Sequence, residues 1–455
     1  MLKKVENTEF TISGSPDQGI FGVIPRVRKL GGLNFLTQNM LNYGDIIPFH
    51  YGIRSYIQLN NPELIKYVLV NNNIYSKGPS YKFYREILGD GLLTSFGKRW
   101  IQDRKIIQPI FDRKYVEEYY SKSVFEVVDK VKQRWLEAAH SGSPVNVTKD
   151  MAHLTMSVTL KTMFSTQIDD ETVKNVDRAI NTFLTYVGAP RMVFAFNSFR
   201  YTRPILFNNV QKELKFMHEL IQNLIDNRRK DKIRHEDTLT LLLEAKKEDG
   251  TSISDEELHE HIFSLIFAGY ETTSVLLQWA LIIISKHPYA TDRLRSEIAK
   301  VDSAAPFSKI NEIAYLDWFI QEVMRVYPPL WTTARMPIKD DVIGGYEVKA
   351  FTPILLPQYA MHRHPKHWKN PEGFWPEHFS PEVEKERHPY CYFPFSLGPR
   401  KCAGWRFAMM EAKIVLFHLL PLFDVELIPG QDETLRKIMS MRFVNDRMFR
   451  VYTRG

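Results

Sequence analysis

Ser254-Asp255-Glu256-Glu257 opens the element that most constrains this chain. It is a capping box, with a serine cap and a glutamate three residues on. No proline follows until Pro288, so the spacing predicts one helix from Ser254 to Lys286. At 1.5 Å per residue such a helix is roughly 50 Å long, enough to cross a whole domain. The other elements must pack around it. Helical periodicity dominates from Pro62 to about Arg325, and a second helix, from about Glu312 to Val326, is ended by Pro328-Pro329. A β-hairpin is expected over Asp45–Asn60, with Tyr51-Gly52 near its turn. Another strand zone spans Leu330 to Leu356, turning at Gly344-Gly345. The run from His362 to Gly404 is irregular; a helix then runs from about Ala403 to Leu420, stopped by Pro421, and strands resume from Phe423. The class is mainly α with a minor β part, the small β-rich portion being residues 45–60 and 330–360 plus the C-terminal strands.

The 455 residues are 44% hydrophobic and 25% charged, an ordinary globular balance that can enclose a cofactor. With only two cysteines, Cys391 and Cys402, a disulfide framework, a zinc finger and an iron–sulfur cage are excluded. The start, Met-Leu-Lys-Lys-Val-Glu, is not followed by a signal-like apolar run, and Leu281–Ile284 is too short to span a bilayer. The expectation is a cytoplasmic protein with no membrane anchor. The net charge of +7 is either a solvated surface excess or a basic patch for an acidic protein partner. Nucleic-acid binding is not expected, because Arg228, Arg229, Lys230, Lys232 and Arg234 run straight into Glu236-Asp237 and read as a solvated linker.

Cys402 lies in Phe393-Pro394-Phe395-Ser396-Leu397-Gly398-Pro399-Arg400-Lys401-Cys402-Ala403-Gly404. Gly398-Pro399 favours a tight turn, which brings the thiol to a helix mouth. Free N–H groups and the positive end of the helix dipole favour a thiolate there. Arg400 adds a cation, Phe395 can shield the sulfur, and Gly404 allows a flat group to approach the backbone. A nucleophilic cysteine with a histidine base stays open at this point. Cys391 reads as a small buried hydrophobe.

Phe395, Gly398, Arg400, Cys402 and Gly404 resemble the haem-binding loop of the cytochrome P450 family, Phe-x-x-Gly-x-Arg-x-Cys-x-Gly. Other segments are similar to the family as well. Ala268-Gly269-Tyr270-Glu271-Thr272-Thr273 matches its central-helix motif, in the middle of the capped helix. Glu322-Val323-Met324-Arg325 matches its structural ion pair, Glu322 with Arg325, just before the Pro-Pro turn. Trp100-x-x-x-Arg104 and Arg335 stand where the family binds the propionates of haem, with Arg400 as the third guanidinium. One departure is His378, where the family usually has an arginine that completes a network with Glu-x-x-Arg.

The resemblance implies a single domain over residues 1–455 with no fused reductase, a large triangular fold holding haem between the long central helix and the cysteine-loop helix. It implies haem b with its iron on Cys402. Gly269 would let the helix pass close to the haem, and Thr272, by bonding back to a carbonyl, would loosen the helix locally. Glu271 and Thr272 would organise delivery of the two protons that dioxygen activation consumes. The implied activity is insertion of one oxygen atom into a C–H bond, or O-demethylation. Electrons would come from a separate ferredoxin or flavodoxin with its NAD(P)H reductase. A peroxide-driven peroxygenase and a non-enzymatic haem sensor are the alternatives. Residues from Tyr81 to Leu93, Phe267 to Thr272, Leu330 to Thr333 and Met441 to Phe443 would line the pocket. Its aromatic and polar mix, Tyr270 and Trp331 to Thr333, leaves a fatty acid, a terpenoid or other oxygenated natural product, and a methylated sugar open.

Overall fold

The structure, a computed structural model, describes residues 2–12, 19, 21–165, 169–188, 199–436 and 440–454. The longer helices are α1 (Ile24–Asn42), α2 (Pro62–Val70), α3 (Tyr81–Leu88), α4 (Gly97–Ile107), α5 (Ser121–Ser141), α6 (Val147–Phe164), α7 (Asp170–Gly188), α8 (Phe199–Lys230), α9 (Thr238–Glu244), α10 (Asp255–Lys286), α11 (Pro288–Ile298), α12 (Ala314–Val326) and α13 (Trp405–Leu419). The strands are β1 (Ile46–Tyr51), β2 (Arg54–Leu59), β3 (Tyr75–Lys77), β4 (Val145–Asn146), β5 (Thr333–Pro337), β6 (Asp341–Ile343), β7 (Tyr346–Val348), β8 (Ile354–Leu356), β9 (Phe423–Leu427) and β10 (Met448–Thr453). The class is mainly α with a minor β part, as the sequence predicts.

Two compact units form along this order. The first comprises Met1–Lys82, Met324–Cys402 and Met439–Met441. Its sheet has the order β1-β2-β8-β5-β3. The hairpin β1–β2 closes where Tyr51 faces Arg54, around the expected Tyr51-Gly52 turn. The parallel pairing of β2 with β8 brings distant segments together. Ile57, Leu59, Ile354 and Leu356 join Leu64, Ile65 and Val68 of α2 in one buried cluster. The β6–β7 hairpin turns through Gly344-Gly345, both at positive φ.

The second unit comprises Phe83–Val323, Ala403–Ile438 and Arg442–Gly455. Its axis is α10. Ser254 Oγ accepts from Glu257 N at 3.2 Å while Glu257 Oε2 accepts from Ser254 N at 2.8 Å, so both halves of the capping box are present. The helix then runs unbroken to Lys286, packed along α6. Helix α13 packs against α5, and β4, β10 and β9 form a small sheet.

Two expectations change here. Helix α10 is long and apolar enough to cross a membrane by length and composition, contrary to the sequence reading, and 83% of its most apolar window is buried inside the protein. The basic run at the end of α8 and beyond is not all solvated linker. Arg228, its side chain only 9% exposed, donates to both Asp237 oxygens, at 2.7 and 2.6 Å, and to Thr240 Oγ1 and Phe164 O. Asp237 in turn caps α9 by accepting from Thr240 N at 2.9 Å. A buried aspartate with a cap to make holds the one arginine of the run within its reach.

Candidate active site

The cysteine loop is built in the first unit. His362 is fully buried, and its Nε2 accepts from Phe393 N at 3.0 Å, anchoring the start of the loop. Burial, and then the nearby Arg325 and Arg363, hold that imidazole neutral, well below its ordinary pKa. The chain turns back on itself: Ser396 N donates to Phe393 O at 2.9 Å, Lys401 N to Gly398 O at 3.0 Å, and Cys402 N to Phe395 O at 2.9 Å. Gly398 takes φ +74°, and a Cβ there would lie 2.5 Å from Leu69 O, so only glycine fits.

Cys402 is in no disulfide and is exposed at the end of this loop, two residues before the cap of α13 at Gly404. Cys391 is fully buried, and burial pushes its thiol up to about 12. The two thiols therefore differ as the sequence predicts, one presented and one inert.

Arg335 lies on β5, buried, and donates only to its neighbour Ala334 O at 3.1 Å and to Ser396 Oγ at 3.4 Å. Among the described residues no carboxylate pairs with it. Burial lowers its pKa, with only Tyr81 acting in the other direction. Tyr81 also senses Arg400, and Lys77, opposite Arg335 in the β3–β5 register, stands 4.4 Å over the Tyr81 ring. A buried guanidinium without an internal acid is costly and calls for an anion from outside the chain. The propionates of the haem that the resemblance implies would be such anions, and the exposed Cys402 lies in the same unit. The residues present fit the group.

Nearby, Arg325 is fully buried and donates to the carbonyls of His362, Pro371 and Gly373 at 3.0, 2.6 and 2.6 Å. His378, where an arginine was expected, bonds Lys369 O at 2.7 Å and sets its ring edge-on to Trp368. Arg387 donates to His378 O at 3.0 Å and lies 4.0 Å over Trp368. A guanidinium thus reaches the His378 region from nine residues further on.

The second unit carries the Ala268–Thr273 motif of α10. Thr272 Oγ1 donates to Ala268 O at 3.0 Å, the back-bond expected of it. The expected loosening is absent, since α10 stays helical through Ala268–Thr273. A Cβ at Gly269 would sit 3.4 Å from Thr159 Oγ1 on α6, an ordinary contact. Tyr270 is fully buried. Two residues on a helix turn about 200°, so Tyr270 faces away from Thr272 and does not share its side of α10.

Glu271 is buried, and Arg442 Nη1 donates to its Oε2 at 2.8 Å. The sequence reading missed Arg442 as a polar partner, and no local motif marks it. Trp100 and Arg104 lie one turn apart on α4, Trp100 buried and Arg104 half-buried. Arg99 beside them bridges Asp103, Glu257 and Glu260 at 3.2, 3.4 and 3.2 Å, tying α4 to α10.

A family model described as cytochrome P450 matches residues 14–447. The chain is 28% identical to cytochrome P450 4c21 of Blattella germanica, over 94% of this chain and 90% of that one. It is 28% identical to pentalenene oxygenase of Streptomyces avermitilis, over 88% of each. With cyclooctatin synthase of Streptomyces melanosporofaciens it shares 29% identity, over 90% of this chain and 89% of that one.

Proposed function

Because this chain belongs to the cytochrome P450 family and is thereby a monooxygenase, we propose that it inserts one oxygen atom of dioxygen into a C–H bond of a small organic substrate. Where the carbon carries an ether oxygen, the same insertion ends in O-demethylation. The observation that carries the reading is the presented thiol of Cys402 in a unit that also holds the acid-free guanidinium of Arg335. Bound through Cys402, haem b supplies the oxygen-activating chemistry, which a thiolate ligand favours.

Each residue then has a task. Arg335, with Tyr81 and Arg400 beside it, binds propionate. Trp100 and Arg104 add an indole N–H and a further cation. Phe395 shields the sulfur. Thr272 holds a hydroxyl at the Ala268 carbonyl, and Glu271 is the carboxyl group that takes up and passes on protons. That acid–hydroxyl pair favours dioxygen over peroxide as the oxidant, and so a monooxygenase over a peroxygenase. A ferredoxin or flavodoxin with an NAD(P)H reductase would supply electrons to a cytoplasmic enzyme, and the net charge of +7 suits an acidic partner of that kind. The substrate candidates are a fatty acid, a terpenoid or other natural product and a methylated sugar, and one bacterial relative is named for oxygenating pentalenene.

The test is the reduced, carbon monoxide-bound spectrum. The red-shifted Soret band of thiolate-ligated haem is expected, and its absence in the haem-loaded protein, or its survival in Cys402→Ser, overturns the reading. Spin-state shifts over a compound panel then rank the substrates.

A further inference from the structure

One cation stands between two carboxylates beside the motif of α10. Arg442 Nη1 is 2.8 Å from Glu271 Oε2, with both side chains buried. The other edge of the same guanidinium, Nη2, is 4.0 Å from Asp177 Oδ1 on α7. The Asp177 side chain is 34% exposed and reaches water, whereas Glu271 does not. Asn181, one turn along α7, donates to Asp177 Oδ1 at 3.0 Å and accepts from Arg436 Nη1 at 3.3 Å. Among the described residues, Arg436 also lies in the field of Arg442, Glu271, Asp177 and Asp446. Arg436 N also donates to Arg442 O at 2.7 Å, fixing the backbone that carries the guanidinium.

We propose that Arg442 and Asp177 are positioning residues for Glu271, with Arg442 holding its carboxylate in place and Asp177 serving as the alternative acceptor for the same guanidinium. The inference rests on the reading of Glu271 as the proton-handling acid. A guanidinium keeps its protons, so Arg442 passes none itself. What can change is which carboxylate it neutralises. Bonded to Glu271, it holds that carboxylate by a charge-assisted hydrogen bond. At 4.0 Å, Asp177 is just outside hydrogen-bond range, and a shift of about 1 Å brings it within range. Glu271, released, takes a proton from water and gives it up toward Thr272, returning to the carboxylate that Arg442 binds again. Asp177 keeps the cation compensated meanwhile, so no charge is left buried and unpaired.

The experiment uses the haem-loaded enzyme with surrogate redox partners and NADPH, without added substrate. It reads the NADPH oxidation rate, the hydrogen peroxide yield, the pH profile and the ratio of rates in H2O and D2O. Arg442→Gln is expected to change the rate by about tenfold, to alter the H2O/D2O ratio and to displace the pH profile. Arg442→Lys should restore much of the wild-type profile, and Asp177→Asn should shift it in part. Wild-type profiles and isotope ratios in Arg442→Gln, while Glu271→Gln alters both, overturn the inference and leave Glu271 in its role. If Glu271→Gln itself leaves every readout unchanged, the reading of Glu271 falls, and the inference with it. Should Arg442→Gln fail to load haem, wild-type readouts in both Arg442→Lys and Asp177→Asn overturn the inference.

Discussion

Gly398→Ala tests how tightly the cysteine loop is set, and the structure divides its effect into two parts. At φ +74° an L-residue sits in the left-handed region, which costs about 1–2 kcal/mol. The new Cβ would also lie 2.5 Å from the carbonyl oxygen of Leu69, on α2. Cβ atoms do not approach closer than 3.0 Å, so loop and helix must part by about half an ångström. Forced overpacking of that kind adds about 1–3 kcal/mol, for a total of about 2–5 kcal/mol. Gly142→Ala separates the parts. Gly142 ends α5 at φ +69° with nothing within 4 Å of where a Cβ would sit, so it should lose only about 1–2 kcal/mol. The loop variant should also lose function, because Lys401 N hangs on Gly398 O and Cys402 comes next. Chemical denaturation of the haem-loaded variants gives the stability difference, and the reduced carbon monoxide spectrum gives the fraction still thiolate-ligated. Equal losses in Gly398→Ala and Gly142→Ala would refute the clash, and an undiminished spectrum would refute its transmission to Cys402.

Thr272→Ala removes the hydroxyl held at Ala268 O, and hydrogen peroxide per NADPH should rise at the expense of product, with proton delivery weakened by about tenfold or more; an unchanged ratio removes Thr272 from proton delivery. Arg228→Met leaves Asp237 buried without its cation, and a loss of about 3–5 kcal/mol is expected in denaturant unfolding; a loss near zero would show the pair to be expendable. His261 is fully buried, and burial, with Arg99 adding to it, lowers its pKa to about 4 from 6.5. The unfolded chain therefore binds more protons between these values, so the stability due to His261 is complete above pH 6.5 and is lost as pH falls toward 4. His261→Leu should flatten the slope of stability against pH in that window, and an unaltered slope would count against it. Cys391, its thiol at about 12, should resist maleimide at pH 8 in the folded protein and react once unfolded; labelling of the folded Cys391→Ala variant only to the same extent as the wild type is the matching control.

What could be read from the sequence is what neighbouring residues decide among themselves. The α10 cap needs only Ser254 and Glu257, three residues apart, and both of its hydrogen bonds are present. The end of α12 before Pro328-Pro329 and the hairpin at Tyr51-Gly52 are equally local. The turn of the cysteine loop is closed by bonds within Phe393–Cys402. Tyr270 was misread although a local rule decides it, since counting 100° per residue from Thr272 turns it to the other side of the helix. Distance in the chain limits the rest. The partner of Glu271 lies 171 residues away, and the parallel register of β2 on β8 joins segments almost 300 residues apart. With 60 Lys and Arg against 53 Asp and Glu, composition offers no ground for pairing Glu271 with Arg442 or Asp237 with Arg228. Burial makes the choice, because a carboxylate removed from water must keep a cation while one left in water need not. The ion pairs that matter most to this chain are therefore the ones that only its folded core selects.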